Sequence, residues 1–144
     1  VGVRGRRFES SVMNAFEAMR TDKDLVAEVM KTTIHAANIN ARFFTNVVVV
    51  DAFRAAQNIG YKIAKAFGEF NFEGRLSSIQ SRVLILHGED DQILPLQDSY
   101  ELAGLIPGAR CEILAGKGHC PNLEDPALFW TLTVNFLFAV KLSS

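Results

Sequence analysis

Cysteine, long apolar runs and an excess of one charge are all scarce in this chain, and each shortage excludes a class of protein. The two cysteines, Cys111 and Cys120, are too few for a fold held together by disulfides. No run of about 18 apolar residues is present, so the sequence predicts no membrane span. The net charge of −1 gives no electrostatic reason to expect nucleic acid or an anionic membrane as a partner.

Motifs that bind metals are missing too. The three histidines and two cysteines are scattered along the chain, and neither C-x-x-C nor H-E-x-x-H occurs. We therefore expect no metal site, and nothing in the sequence suggests a cofactor. A signal-peptide pattern is also absent, because the arginines within residues 4–7 are not followed by an apolar segment. A cytoplasmic location is the resulting expectation.

What remains has the composition of a globular domain, 49% hydrophobic and 22% charged, and its first half has helical periodicity. A helix is predicted over residues 9–19, with Val12 on its buried side. Residues 21–24 have the form of a capping box, with a hydroxyl first and an acid three residues later. Asp51 is placed to cap a third helix, which Gly68 is placed to end.

The second half alternates between strand and helix. Residues 83–86 form a short, continuously apolar run, as expected for a strand buried on both faces of a parallel sheet. Residues 97–105 have helical periodicity, and residues 110–114 read as the next strand. Pro126 suits the first turn of a final helix. Strand, helix, strand, helix is the pattern of the α/β class.

An acidic residue and a histidine follow the two predicted strands. Asp91 comes just after the first strand, and His119 lies in the loop after the second. Because the carboxyl ends of parallel strands meet at one edge of a sheet, both side chains should reach the same site. A carboxylate that orients an imidazole there produces a general base. The spacing Gly88-x-x-Asp91 selects Asp91 over Glu89 and Asp90, although three adjacent acids can also form a solvated turn.

Three further side chains are interpreted more plainly. His87 ends the first predicted strand, where it is expected to support the site and not to react. His35 falls within a predicted helix, where a packed or surface imidazole is expected. Cys120 directly follows His119 and is interpreted as partly exposed, with a catalytic role for its thiol disfavoured.

Residues 79–137 resemble the carboxy-terminal portion of an α/β-hydrolase of the esterase/lipase-like group. The resemblance implies an α/β fold in which residues 75–144 form the carboxy-terminal part of the hydrolase core, with parallel strands and flanking helices. Residues 1–74 would then be a helical cap. The segments that carry the resemblance are, in order, Val83-Leu84-Ile85-Leu86-His87-Gly88-Glu89-Asp90-Asp91-Gln92-Ile93-Leu94-Pro95, Leu102-Ala103, Ile106-Pro107-Gly108-Ala109, Gly116-Lys117-Gly118-His119, Leu123-Glu124-Asp125-Pro126 and Asn135-Phe136-Leu137.

The resemblance implies a carboxylesterase-like hydrolase that acts on a small ester or related acyl substrate through a Ser-His-Asp triad. This chain supplies only Asp91 and His119, because the glycine-flanked turn G-x-S-x-G that exposes the nucleophile is absent. The chain alone is therefore predicted to be inactive. None of its serines lies in such a turn: Ser10, Ser11, Ser77, Ser78, Ser81, Ser99, Ser143 and Ser144.

Other interpretations stay open at this point. Within the same fold, an aspartate nucleophile would make the complete protein a dehalogenase or an epoxide hydrolase. A different class is a non-catalytic fragment that binds a ligand or a protein, since a fold does not dictate a function. Half of a sheet would also expose a strand edge and apolar faces, so a partner chain or self-association is expected to complete it.

Overall fold

Two parallel strands lie at the centre of the second half of the chain. The computed structural model describes residues 2–35 and 39–139. Strand β1 (Leu84–Gly88) pairs with strand β2 (Arg110–Leu114), from Leu84 opposite Arg110 to Gly88 opposite Leu114. The predicted parallel α/β arrangement is confirmed.

The bounds of the strands differ slightly from the prediction. Strand β2 has the predicted bounds, whereas β1 begins one residue late and continues through His87 and Gly88. The apolar run ends at Leu86, but the strand continues because both following residues still pair with β2. Residues 84–86 are only half-buried. The prediction that both faces of this strand are buried was therefore wrong for the described residues, because two strands form only a narrow sheet.

Helices precede, separate and follow the two strands, and they make up the first half of the chain. In chain order they are α1 (Ser10–Ala18), α2 (Lys23–Thr33), α3 (residues 41–67), α4 (Glu73–Leu76), α5 (Leu96–Leu105), α6 (Pro121–Glu124) and α7 (Pro126–Phe138). Helix α5 connects β1 to β2, and α7 begins at Pro126 as predicted. No helix of the described residues is long and apolar enough to span a membrane.

Helix α2 begins one residue later than its predicted capping box. Asp22 is the residue before the helix, and its carboxylate accepts the Leu25 N–H at 2.9 Å. Thr21, the predicted hydroxyl cap, instead lies 3.4 Å from the Ala18 carbonyl oxygen, to which its hydroxyl donates. The box was wrong because a carboxylate stands next to the threonine and satisfies the free amide of the first turn.

Helix α3 begins well before Asp51. The amide oxygen of Asn40 accepts the N–H groups of Arg42 and Phe43, at 3.0 and 3.2 Å. Asp51 therefore lies inside the helix, and its predicted role as a cap was wrong. Two π-helical segments, Phe44–Val48 and Ala56–Gly60, lie within α3.

The end of α3 and the packing of α1 to α3 follow the apolar pattern in part. Gly68 is the residue at which α3 ends, as predicted. The helices pack around a buried cluster that consists of Met19, Val26, Val49 and Ala56. Val12 is 39% exposed, so its predicted burial was wrong. It lies in the first turn of α1, and the buried residue Met19 lies beyond the other end of that helix.

The amino-terminal residues return to the second half of the chain. Val3 is buried in a cluster with Leu76 and Ile106. Arg4 forms an ion pair with Glu73 at 2.7 Å. The predicted division of the chain into residues 1–74 and 75–144 stays a prediction, and the packing of Val3 against Leu76 and Ile106 crosses it.

Several apolar side chains of the final helix face solvent. The exposed fractions on α7 are 68% for Trp130, 61% for Leu137 and 74% for Phe138. Such a cluster of exposed apolar side chains is typical of a surface that another protein segment covers. The expected partner chain or self-association stays a prediction.

Candidate active site

Asp91 begins a turn at the carboxyl end of β1, and its side chain is buried. Its side chain is 6% exposed, whereas Glu89 and Asp90 are exposed residues. One carboxylate oxygen, Oδ1, accepts the N–H groups of Ile93 and Leu94 at 2.7 and 3.0 Å. These bonds are those of an Asx-type turn, which turns the side chain back over its own backbone. Of the three adjacent acids, Asp91 is the one that the turn directs inward.

The structure brings Asp91 and His119 together. His119 Nδ1 lies 2.9 Å from the second carboxylate oxygen of Asp91, Oδ2. The imidazole is 32% exposed, and its other nitrogen, Nε2, makes no hydrogen bond to any residue within 2–35 and 39–139. One nitrogen of His119 is therefore fixed by the acid, and the other is open to a group that approaches from outside.

The protonation of this pair follows from the environment of Asp91. Burial raises the pKa of its carboxyl, but hydrogen bonds from the Leu94 N–H, His119 and the Ile93 N–H together outweigh burial. The net pKa lies below the ordinary value of 3.8. Near neutral pH, Asp91 is thus an ionised acceptor, and His119 Nδ1 must carry the proton between them. In the neutral imidazole, Nε2 then holds a lone pair that can accept a proton.

His87 supports the turn that holds Asp91. The imidazole is buried, with Nδ1 2.6 Å from Ser99 Oγ and Nε2 3.2 Å from the Leu94 carbonyl oxygen. Because a carbonyl only accepts, Nε2 donates to Leu94, and in the neutral imidazole Nδ1 then accepts from the Ser99 hydroxyl. His87 Nε2 also lies 3.6 Å from Asp91 Oδ2. Ser99 was missed as a site residue, since a serine within a helical pattern gives no signal of a buried partner.

The loop that carries His119 lies directly against the end of β1. The Asp90 N–H donates to the Lys117 carbonyl oxygen at 2.9 Å. A side chain at Gly88 would overlap the carbonyl oxygens of Lys117 and Gly118. Only glycine therefore permits the acid-bearing turn and the histidine-bearing loop to approach this closely.

The carboxyl end of α2 contacts the same loop. The His119 N–H donates to the Thr33 carbonyl oxygen at 3.1 Å. His35 Nδ1 lies 3.2 Å from the Gly116 carbonyl oxygen, to which it donates. His35 follows α2 and does not lie within it, which corrects its predicted position. The helical first half thus touches the backbone that positions the candidate base.

Cys120 lies beside His119 but does not have the properties of a nucleophilic cysteine. Burial raises the pKa of its thiol, and the negative charges of Glu124 and Asp91 raise the pKa further above 9.0. The thiol is therefore protonated near neutral pH, whereas the thiolate is the reactive form.

Among the described residues, no group of three or more histidine, cysteine or acidic side chains is arranged to hold a metal ion.

The lowered pKa of Asp91 predicts a loss of stability in acid. A carboxyl with a lower pKa in the folded chain than in the unfolded chain stabilises the fold above its ordinary value of 3.8, and this stabilisation is lost as the pH falls through the folded value. We expect the Asp91→Asn variant to be less stable than the unsubstituted chain near neutral pH. Urea unfolding from about pH 6 to about pH 2 should show this difference shrinking below about pH 4. A difference that grows toward acid would contradict the assignment.

Comparisons with known proteins identify the fold to which this chain is similar. The sequence pattern of the alpha/beta hydrolase fold matches residues 14–126. Over 65 residues, 45% of this chain, the sequence is 35% identical to 2-hydroxymuconate semialdehyde hydrolase of Pseudomonas putida, of which the match covers 23%. Over 60 residues, 41% of this chain, it is 42% identical to the non-heme haloperoxidase of Rhodococcus erythropolis, of which the match covers 22%.

Structural similarity covers more of the chain. The enol-lactonase from Burkholderia xenovorans LB400 superposes with a TM-score of 0.75 at 22% identity, over 94% of this chain and 53% of that one. At this identity the match shows the fold alone. The chain spans about half the length of that structure and its matches span about a quarter of the curated relatives.

Proposed function

This chain belongs to the alpha/beta hydrolase fold family, and on that premise we propose that the complete protein hydrolyses a small ester or related acyl substrate. The proposal rests mainly on one observation, the 2.9 Å hydrogen bond between His119 Nδ1 and Asp91 Oδ2. Both residues follow parallel strands, at the edge of the sheet where open α/β folds bind ligands. A buried carboxylate on one imidazole nitrogen, with the other nitrogen free, is the arrangement that nucleophilic acyl transfer requires.

In the proposed mechanism, His119 Nε2 accepts the proton of a serine hydroxyl as that oxygen attacks the acyl carbon. Asp91 keeps the proton on Nδ1 before the reaction and stabilises the imidazolium after it. His119 then gives the proton to the leaving oxygen, and the same steps with water release the acid product. The serine and the amides that stabilise the oxyanion would lie outside this chain.

Two further observations support hydrolysis. Several curated relatives are named as hydrolases, among them one at 35% identity over 65 residues of this chain. The raised pKa of the Cys120 thiol keeps that thiol protonated, so Cys120 is not a competing nucleophile beside the pair of Asp91 and His119. Neither observation identifies the substrate. The assignment of an ester is therefore part of the proposal.

A fluorophosphonate tests the proposal, because it reacts with serines that a neighbouring base activates. Intact-mass analysis of the complete protein should show one adduct on a serine outside these 144 residues, while the 15.9 kDa chain alone should show none. His119→Ala should abolish labelling of the complete protein. Ser78→Ala should leave labelling in place, because Ser78 precedes β1, and its exposed hydroxyl donates to the Arg75 carbonyl oxygen, away from Asp91 and His119.

Failure of labelling would reject the serine nucleophile. In that case, turnover in ¹⁸O water would separate the remaining interpretations. Label that enters an aspartate side chain would indicate the dehalogenase or epoxide hydrolase chemistry. Tight binding of an acyl ligand without turnover would indicate a non-catalytic protein.

A further inference from the structure

Glu124 is a buried carboxylate that the triad does not use. The residue is 5% exposed and ends the short helix α6, directly after the loop that carries His119. Burial of a charged group is costly unless hydrogen bonds compensate for the lost water. The partners of this carboxylate therefore indicate why it is placed there.

Two of those partners are the backbone N–H groups on either side of His119. Glu124 Oε2 accepts the Gly118 N–H at 2.7 Å, and Oε1 accepts the Cys120 N–H at 3.3 Å. The N–H of His119 itself donates to the Thr33 carbonyl oxygen at 3.1 Å. Three consecutive peptide groups are thus fixed from two sides, by one carboxylate and by the end of α2.

The loop needs such restraints because its sequence is permissive. Gly116 and Gly118 lie within three residues of His119, and Gly116 has a positive φ of 66°. Glycine has more backbone freedom than any other residue, so this segment has a large entropy to lose. Gly118 also provides the space for Glu124, since a side chain there would come within 3.0 Å of Glu124 Oε1.

We propose that Glu124 is a positioning residue that holds the backbone on both sides of His119 and thereby aligns the imidazole with Asp91. The inference rests on the proposed function, in which His119 is the general base. Glu124 acts through backbone amides and not on the substrate. Hydrogen bonds to a charged acceptor are the stronger ones, so one carboxylate that accepts from two amides can restrain a glycine-rich loop.

The test uses the complete protein and the proton between His119 and Asp91. In a ¹⁵N-histidine-labelled sample, the His119 Nδ1–H should give a low-field resonance that exchanges slowly with water. Glu124→Gln preserves the size of the side chain but replaces one accepting oxygen by an amide that cannot accept. We expect this variant to lose that resonance, or to show exchange at least about tenfold faster, while it still unfolds cooperatively.

Glu112→Gln is the matched control. It makes the same chemical change on β2, where Glu112 Oε1 lies 2.6 Å from Arg110 Nε. The control should leave the His119 resonance unchanged. A merely stabilising role for Glu124 would lower the resistance to urea but would leave the resonance and its exchange rate as they were, and that result would overturn the proposal.

Two other outcomes are also decisive. If the unsubstituted chain lacks the Nδ1–H resonance, the hydrogen bond between His119 and Asp91 is rejected. The proposed function then fails before Glu124 is tested. If Glu124→Gln does not fold, amide exchange in the unsubstituted chain decides. Gly118 and Cys120 amides that are protected as well as the His119 amide would support the proposal, and exchange at the rate of an exposed loop would overturn it.

Discussion

Replacing His119 with alanine in the complete protein should lower ester turnover by roughly four orders of magnitude. Alanine leaves no group to accept the serine proton, while Asp91 keeps its turn through the amides of Ile93 and Leu94. The loss should appear in kcat, with KM little changed, because the imidazole acts in the transition state and not in ground-state binding. Steady-state kinetics on a chromogenic ester would measure both constants.

Two further variants accompany this experiment: Asp91→Asn, which should also lose activity, and Cys120→Ala, which is the control. Asparagine at position 91 can offer an N–H to His119 and so favours the wrong tautomer, for which we expect a similar loss of kcat. Cys120→Ala changes the neighbouring side chain but keeps the backbone N–H, so it should retain turnover. A His119→Ala protein with more than about a tenth of the original kcat would reject His119 as the base.

Gly88→Ala should destabilise the chain by at least about 3 kcal/mol, a large effect for one added methyl group. The methyl would overlap the carbonyl oxygens of Lys117 and Gly118, which are backbone atoms and cannot rotate aside. The loop must then move away from β1, and the hydrogen bond from the Asp90 N–H to Lys117, 2.9 Å in length, is lost. His119 moves with the loop, so the Nδ1–H resonance should disappear as well.

Gly104→Ala is the control for this substitution. A side chain at Gly104, near the end of α5, would meet nothing within 4 Å. Alanine is favoured over glycine in helices, so this variant should be as stable as the unsubstituted chain or more stable by up to about 1 kcal/mol. Urea unfolding of both variants gives the comparison. Equal stability of Gly88→Ala and Gly104→Ala would show that the loop that carries His119 does not contact β1 at Gly88.

The parts of the fold that follow from local pattern could be predicted. The segments 83–86 and 110–114 predict the two strands, and Pro126 predicts the start of α7. The approach of Asp91 to His119 could also be anticipated, since the ends of parallel strands meet at one edge. Each of these inferences needs only the order of the elements and the period of the pattern.

The parts that depend on contacts between distant segments could not be predicted. Asp51 matches the pattern of a cap, but the chain is already helical there because Asn40 caps α3 earlier. The burial of Glu124 has no signal in the sequence, since no spacing rule shows that an acid will be buried under a loop. The sequence shows only the two glycines before His119, Gly116 and Gly118, which indicate a loop with high backbone freedom.

The attachment of the His119 loop to Thr33 has a consequence for the order in which the molecule folds. Contacts between β1 and β2 close a short segment of chain, whereas the hydrogen bond from the His119 N–H to Thr33 closes a segment about three times as long as that between Asp91 and His119. By loop-closure entropy, the longer closure costs about 1 kcal/mol more. The strands should therefore pair before the carboxyl end of α2 docks, and the imidazole should reach its final orientation among the last events of folding.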